Sequence, residues 1–287
     1  MAKGLTTQAT KILTERYLLK DGEGKLIETP DGMFRRVAKA VAGAEINSAQ
    51  YEEEFYELIS SLKFLPNSPC LANAGKVNGG LSACFVIPVE DDLKSIFEAV
   101  KVTALIQQTG GGTGFGFSRL RPNGDIVKGT GGIASGPVTF IGAFDAATNS
   151  IKQGGMRRGA NMGVLSVHHP DILEFIHCKD KGNYIQNFNI SVLITQEFME
   201  AWVADSDYNL VNPRTGLVVN TYSATKVWAE IIASAHSTGD PGVIFIDRIN
   251  AGRANPVHKF GPIESTNPCG EQPLLPYESC DLGSINL

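Results

Sequence analysis

Cysteine is scarce in this 287-residue chain: there are five, an odd number, and no two stand in a C-x-x-C arrangement. That excludes a disulfide-stapled secreted scaffold and leaves zinc knuckles and thioredoxin-type motifs without support. Basic charge is not in excess. With 25 Lys and Arg against 30 Asp and Glu, the formal net charge is −5, which argues against a protein built to coat nucleic-acid phosphates. Long apolar runs are missing too, so nothing approaches the ~20 residues of a membrane span. The first 26 residues lack the apolar core and small-residue cleavage site of a signal peptide. A reducing cytoplasm is the expected setting, where any disulfide would be transient and catalytic. The five thiols are then either buried filler or chemistry.

With 43% hydrophobic and 19% charged residues, the chain has enough apolar surface to fold. Thr29-Pro30-Asp31 predicts a helix start with proline at the first helical position, burying Met33, Phe34, Val37, Ala38 and Val41. Ser48 predicts a second helix, burying Tyr51, Phe55, Leu58, Ile59 and Leu62 and ending at Pro66. From Leu81 the pattern alternates. Strands are expected at Ala83–Val89, Phe115–Leu120, Ala160–Val167, Asn187–Thr195 and Val243–Ile246. Helices are expected after Asp92, over Val138–Ile151, after Pro170, and around Phe198–Val203 and Val227–Ala235. Such alternation predicts an α/β fold with a largely parallel sheet behind a helical N-terminal layer. The chain stops at Gly283–Leu287, inside what reads as a strand.

Glycine is the conspicuous presence: 31 residues, bunched at 110–114, 129–136 and 154–159. Neither of the first two clusters continues into Gly-Lys-Ser/Thr, so a Walker loop is excluded, and no good strand precedes the second as a dinucleotide fingerprint requires. Glycine-rich backbone beside Arg119, Arg121 and Lys128 suits a phosphorylated ligand. Tight turns and close packing are the plainer use of the same residues. His168, His169, His177 and Cys178 read as turn and helix-end residues, and no metal site is assigned. Cys269 stands apart, flanked two residues away on each side by Asn267 and Glu271. If the segment is extended, alternation turns all three toward one ligand.

Several long motifs carry a family resemblance. PNSPCLANAG, LSACFVIPVEDDLKSIFE, GGGTGFGFSRLRP, KQGGMRRGANMG and NPCGEQPLLPYESCDLGSINL resemble the catalytic chain of ribonucleotide reductase, and more narrowly its adenosylcobalamin-dependent (class II) type. The resemblance covers essentially the whole chain. It implies a ten-stranded α/β barrel of two five-stranded parallel halves, with a finger loop through the centre. This chain would hold an N-terminal helical region (1–80) and the first half-barrel with effector loops and finger loop (81–287). The second half-barrel is expected in cis or in trans, and the chain is expected to be inactive without it.

Residue by residue, the resemblance makes Cys269 the thiyl-radical carrier, Glu271 the general base on the 3′-hydroxyl and Asn267 the amide that orients the ribose. Cys84 and Cys280 become the reducing pair, and a Cys280 eleven residues after Cys269 is the class II spacing. Ser68, Cys70 and Ala83 fall in the substrate region, and Cys178 is structural. Asp91, Arg119 and Arg121 fall in a nucleotide-effector site, while Lys152, Gln153 and Arg157 match the loop between effector and substrate. The implied cofactor is adenosylcobalamin. The implied partners are a ribonucleotide (a diphosphate), a deoxynucleotide or ATP effector, a thioredoxin-like reductant and a second copy of the chain, with no nucleic acid and no membrane. Two alternatives stay open: a class I-type large chain served by a separate radical-generating subunit, and a silent fragment that binds effector alone.

Overall fold

A computed structural model describes residues 4–127, 131–151, 159–180, 182, 184–253, 255–256 and 258–287. The N-terminal layer holds α1 (Thr7–Arg16), α2 (Pro30–Ala42) and α3 (Ser48–Ser60), then β1 (Phe64–Pro66) and α4 (Ser68–Asn73). The start of α2 is as expected: Pro30 opens it and the Thr29 hydroxyl accepts from Gly32 N at 3.1 Å. Met33, Phe34, Val37 and Ala38 are buried on its inner face, while Val41 lies at the edge, partly exposed. The second helix departs from expectation. Ser48 lies inside the first turn, and Asn47 stands at the cap without a side-chain bond. Of the five residues expected to be buried there, only Ile59 is. The helix ends at Ser60 rather than Pro66, because Leu62 takes a left-handed φ of 60°. That lets Lys63 N reach Leu58 O and Leu62 N reach Ile59 O, the six-to-one closure that terminates helices.

The second part runs β2 (Cys84–Val86), α5 (Leu93–Gln108), β3 (Gly112–Gly116), α6 (Gly136–Ser150), β4 (Asn161–Ser166), α7 (Ile172–His177), β5 (Phe188–Ile194) and α8 (Gln196–Val203). An antiparallel hairpin follows, β6 (Asp207–Val211) and β7 (Val218–Ser223), then α9 (Ala224–Thr238), β8 (Gly242–Phe245) and α10 (Ile246–Ala251). Short strands β9 (Ser265–Thr266), β10 (Pro273–Leu274), β11 (Ser279–Cys280) and β12 (Gly283–Ile285) close the chain. Among the described residues the main sheet has the order β11-β2-β3-β4-β5-β8. Strands β2, β3, β4, β5 and β8 pair in parallel, and β11 adds antiparallel to β2. These are the five parallel strands of the expected half-barrel. Strand β12 leaves this sheet to pair with β1, tying the two parts of the chain together.

The sheet's outer face packs on the helices. Phe115, Phe117, Phe144 and Phe188 are fully buried there, with neighbouring ring centroids 4.7 to 6.5 Å apart. The expected strand at Phe115–Leu120 is displaced. Its hydrophobic run marks side chains entering the core, whereas the backbone ladder begins within the glycines at Gly112. The hairpin β6–β7 adds an element beyond those the sequence predicts.

Candidate active site

Strand alternation explains the inner face of the half-barrel. Residues two apart point the same way, so Gly112, Gly114 and Gly116 line one side of β3 while Thr113 and Phe115 line the other. A Cβ on Gly112 would lie 2.5 Å from the Pro268 ring, and one on Gly116 would lie 3.0 Å from Glu264 O. One on Gly114 would overlap the Thr266 carbonyl. The 110–114 cluster is therefore not an anion-binding loop. Its glycines are the bare wall against which the segment 264–268 lies.

That segment is a finger. Strands β9 and β10 pair antiparallel, with Thr266 opposite Pro273, and the tip runs from Asn267 to Gln272. Asn267 is fully buried and bonds Gln272 twice at 3.0 Å, through its own N–H and through its side-chain oxygen. Gly270 N donates to Asn267 O at 3.1 Å, so residues 267–270 form a β-turn. The expected extended alternation does not hold. A turn, not a strand, carries the thiol, with Asn267 inward and Cys269 and Glu271 exposed.

Beneath the finger, Cys280 on β11 stands directly opposite Cys84 on β2. Cys84 is buried, and the Asn267 Nδ2 lies 3.7 Å from its sulfur as donor. Burial, helped by the neighbouring Cys84, Glu271 and Asp281, pushes the Cys280 thiol up to about 12. The structure thus brings Asn267, Cys84 and Cys280 together, with Glu271 near enough to act on Cys280 electrostatically.

Of Ser68, Cys70 and Ala83, only Ala83 adjoins this cluster directly, whereas Cys70 packs in the core of the N-terminal layer. The Ser68 hydroxyl is 3.0 Å from the Tyr17 hydroxyl, and Cys70 is buried with its N–H donating to Asn67 Oδ1 at 2.8 Å. Ala83 is buried and its N–H donates to Cys280 O at 3.0 Å. Asn67 Nδ2 also donates to Asp281 at 3.1 Å, which joins the α4 end to the residue beside Cys280. Nothing in the sequence marks Asp281 except its place next to Cys280.

A cavity of about 510 Å³ lies at the outer end of β3, lined by Asp91, Arg121, Val127, Gly132–Gly136 and Phe140 among others. Asp91 holds Arg121 by its backbone N–H at 3.0 Å and by Nε at 2.8 Å. Gly132–Gly136 and the start of α6 contribute to its wall. Arg119 turns elsewhere, paired with Glu90 and, at 2.9 Å, with Glu264. Lys128, Lys152, Gln153 and Arg157 lie outside the described residues.

His168, His169, His177 and Cys178 are engaged in local contacts. His169 is buried between Leu120 O at 2.8 Å and Asp171 N at 3.0 Å, and burial lowers its pKa. His168 lies 2.7 Å from the Thr195 hydroxyl and His177 2.8 Å from Asp180. Cys178 stands at the C-cap of α7, as its helix-end reading has it, but is buried, and burial pushes its thiol up to about 12. Among the described residues no group of three or more His, Cys, Asp or Glu could hold a metal ion, and no helix is long and apolar enough to cross a membrane.

A family model for the ribonucleotide reductase barrel domain matches residues 82–287, and one for the ribonucleotide reductase all-alpha domain matches residues 3–79. The chain is 48% identical to a vitamin B12-dependent ribonucleoside-diphosphate reductase of Thermoplasma acidophilum, over 99% of its own length and 44% of the relative's. It is also 48% identical to a protein of the same name from Mycobacterium tuberculosis H37Rv, over 99% and 41%. To a ribonucleoside-diphosphate reductase subunit alpha of Helicobacter pylori 26695 it is 28% identical, over 91% and 36%. The chain spans less than half the length of these curated relatives.

Proposed function

This chain belongs to the ribonucleotide reductase family, and on that premise we propose that it supplies the thiol, acid–base and dithiol groups of an adenosylcobalamin-dependent ribonucleoside-diphosphate reductase. The observation that carries this reading is the stacking of Asn267, at the base of the Cys269 turn, over the opposed pair Cys84 and Cys280. A carbon–oxygen bond that acid–base groups cannot break, a thiol on an exposed turn and a dithiol beneath it belong to one reaction.

In this reading a Cys269 sulfur radical takes the 3′-hydrogen atom while Glu271 accepts the 3′-hydroxyl proton. Asn267 orients the ribose. The 2′-hydroxyl leaves as water, and Cys84 and Cys280 supply two electrons and two protons, becoming a disulfide. The hydrogen atom held by Cys269 then returns to C3′. The net change is one ribonucleotide and two thiols to one deoxyribonucleotide, one disulfide and one water. An external dithiol restores the pair by exchange, which suits a reducing cytoplasm.

The residues fit the cofactor in one respect: Cys269 is exposed at the finger tip, where an adenosyl group can approach its sulfur. When bound, adenosylcobalamin supplies the one-electron oxidant that no side chain provides. Ser68, Cys70 and Ala83 are assigned to substrate binding on the family resemblance, with Ala83 beside Cys84 in its support. The Asp91–Arg121 cavity takes a nucleotide effector, with Lys152, Gln153 and Arg157 on the loop toward the substrate base. A homodimer completes the assembly.

The test is deoxyribonucleotide formation from ribonucleoside diphosphates with adenosylcobalamin and dithiothreitol, using a polypeptide that contains this chain together with a second half-barrel. Cys269→Ser should abolish turnover. Turnover that ignores adenosylcobalamin and instead requires a metal-containing partner subunit would move the reading to the class I type. Nucleotide binding without turnover in the unaltered polypeptide would leave only the effector-binding reading.

A further inference from the structure

Asn189 lies on β5, on the inward face of the half-barrel, with its register partner Met162 on β4. Its Nδ2 donates to the Pro268 carbonyl at 2.7 Å. Pro268 is the second residue of the turn Asn267-Pro268-Cys269-Gly270, closed by the 3.1 Å bond from Gly270 N to Asn267 O. Its carbonyl therefore belongs to the central peptide of that turn, the unit joining it to Cys269.

The central peptide is the part of a β-turn that can rotate without breaking the closing bond. Type I and type II turns share end positions and differ by a flip of roughly 150–170° in the two torsions flanking that peptide. Proline at the second position is compatible with both. In type II the third residue, here Cys269, must take a positive φ, and Cys269 lies outside that region. A flip would carry the Pro268 carbonyl to the other side of the turn and re-aim the Cys269 side chain. The turn's own composition does not forbid excursions in that direction. Two outside contacts do: the ring of Pro268 rests against the bare backbone at Gly112, and its carbonyl is held by Asn189.

We propose that Asn189 is a positioning residue for Cys269, fixing the central peptide of the thiol-bearing turn and so the direction of the sulfur. The proposal rests on the reading of Cys269 as the radical carrier, since hydrogen-atom abstraction depends steeply on the separation and angle of the reacting atoms. In this role Asn189 acts on the sulfur through one peptide bond.

The test compares Asn189→Ala and Asn189→Asp with the unaltered full-length polypeptide. The second variant keeps the side chain's size and replaces the donor with an acceptor. Both should lower kcat about 10- to 100-fold, the scale of a small misplacement at a reacting centre, with KM for the ribonucleotide within about twofold. The chemical shift and hydrogen exchange of the Cys269 amide, the N–H of the central peptide, should change in both variants, while the Gly270 amide, held by the closing bond, and the main sheet's amides stay unchanged. The Asp variant should recover toward the unaltered protein as pH falls, because a protonated carboxyl regains a donor. Unchanged kcat and an unchanged Cys269 amide in the Asp variant would overturn the proposal, even if the Ala variant failed to fold. Absence of turnover in the unaltered polypeptide would overturn the functional reading instead, and the Cys269 amide would still decide the role of Asn189.

Discussion

Cys84 and Cys280 occupy directly opposed register positions on the adjoining antiparallel strands β2 and β11. Opposed residues of an antiparallel pair have Cα atoms about 4.5–5.5 Å apart, inside the range a disulfide spans. Strand pairing alone brings the two sulfurs into reach, so no loop has to move for the bond to form. Mild oxidation should therefore yield a Cys84–Cys280 disulfide, read as a cross-linked peptide by mass spectrometry. A different pairing under the same conditions would refute the geometry.

The same pair sets a pH dependence. The Cys280 thiol is pushed up to about 12, chiefly by burial, so the folded state favours the protonated form. The Cys280 thiolate, the nucleophilic species, is therefore scarce at neutral pH. Alkylation of Cys280 in the folded chain should rise about tenfold per pH unit and show no plateau through pH 10. An unshifted cysteine levels off above about pH 9. A plateau near pH 8.5, followed residue by residue, would contradict the environment described.

Gly114 tests the finger's seating. A Cβ there would overlap the Thr266 carbonyl, which is backbone and cannot rotate away. Gly114→Ala should force the finger off the sheet at about 1–3 kcal/mol of stability, the usual cost of overpacking. Because the displaced segment carries Cys269, turnover should fall about 100-fold, more than the stability loss accounts for. Gly116→Ala, whose nearest clash is 3.0 Å from Glu264 O, should be milder on both counts. Equal effects at the two positions, measured by thermal unfolding and by assay, would rule out this account.

How much of this was legible beforehand depends on which residues carry the signal. The parallel half-barrel could be read because strands buried on the helix side, such as Phe188–Ile194, are near-continuous apolar runs between helices. The Asp92 cap on α5, accepting from Ser95 N at 2.9 Å, was visible as local chemistry. Hairpin β6–β7 was not, because Val218–Thr221 is exposed and shows no buried-face alternation. The glycines of β3 pointed toward an anion because a missing side chain says nothing about what fills its place. Asn189 and Asp281 matter through partners distant in the chain, and no local pattern encodes that.

Arg119 and Arg121 are two residues apart and look interchangeable in sequence, yet their surroundings differ. Arg121 lines the 510 Å³ cavity, braced by Asp91, whereas Arg119 is engaged by Glu90 and Glu264. Arg121→Ala should weaken nucleotide binding at this cavity about 10- to 100-fold, the loss of a charge-assisted contact. Asp91→Ala should do similarly, by releasing Arg121 and by removing a carboxylate from the cavity wall. Arg119→Ala should change binding by less than about threefold, as expected for a partly exposed ion pair. Equilibrium dialysis with a deoxynucleoside triphosphate measures all three, and the reverse order for the two arginines would discredit the cavity as the effector site.

The last prediction concerns a residue outside the cavity that supports its wall. Arg214, between β6 and β7, bonds Asp125 through Nη2 at 2.7 Å and Nε at 3.0 Å, and Asn212 adds a third contact at 3.1 Å. Asp125 sits in the loop that returns to the cavity: its carbonyl accepts from Ala134 N at 2.8 Å, and Gly124 N donates to Ala134 O at 3.0 Å. The hairpin thus braces the strip containing Val127 and Gly132–Gly136. Bonds from Arg214 and Asn212 hold the Asp125 carboxyl well below the usual carboxylate range. A depressed carboxyl contributes stability above its unfolded value near 3.9 and loses it as pH falls toward the folded value. The brace should therefore be constant from pH 5 to 8 and weaken only below about pH 4. Arg214→Ala should remove it at every pH, loosening nucleotide binding about two- to fivefold without touching the ligand. A loss as large as that of Arg121→Ala would mean that Arg214 contacts the nucleotide, and no loss at all would mean that the loop holds its shape unaided.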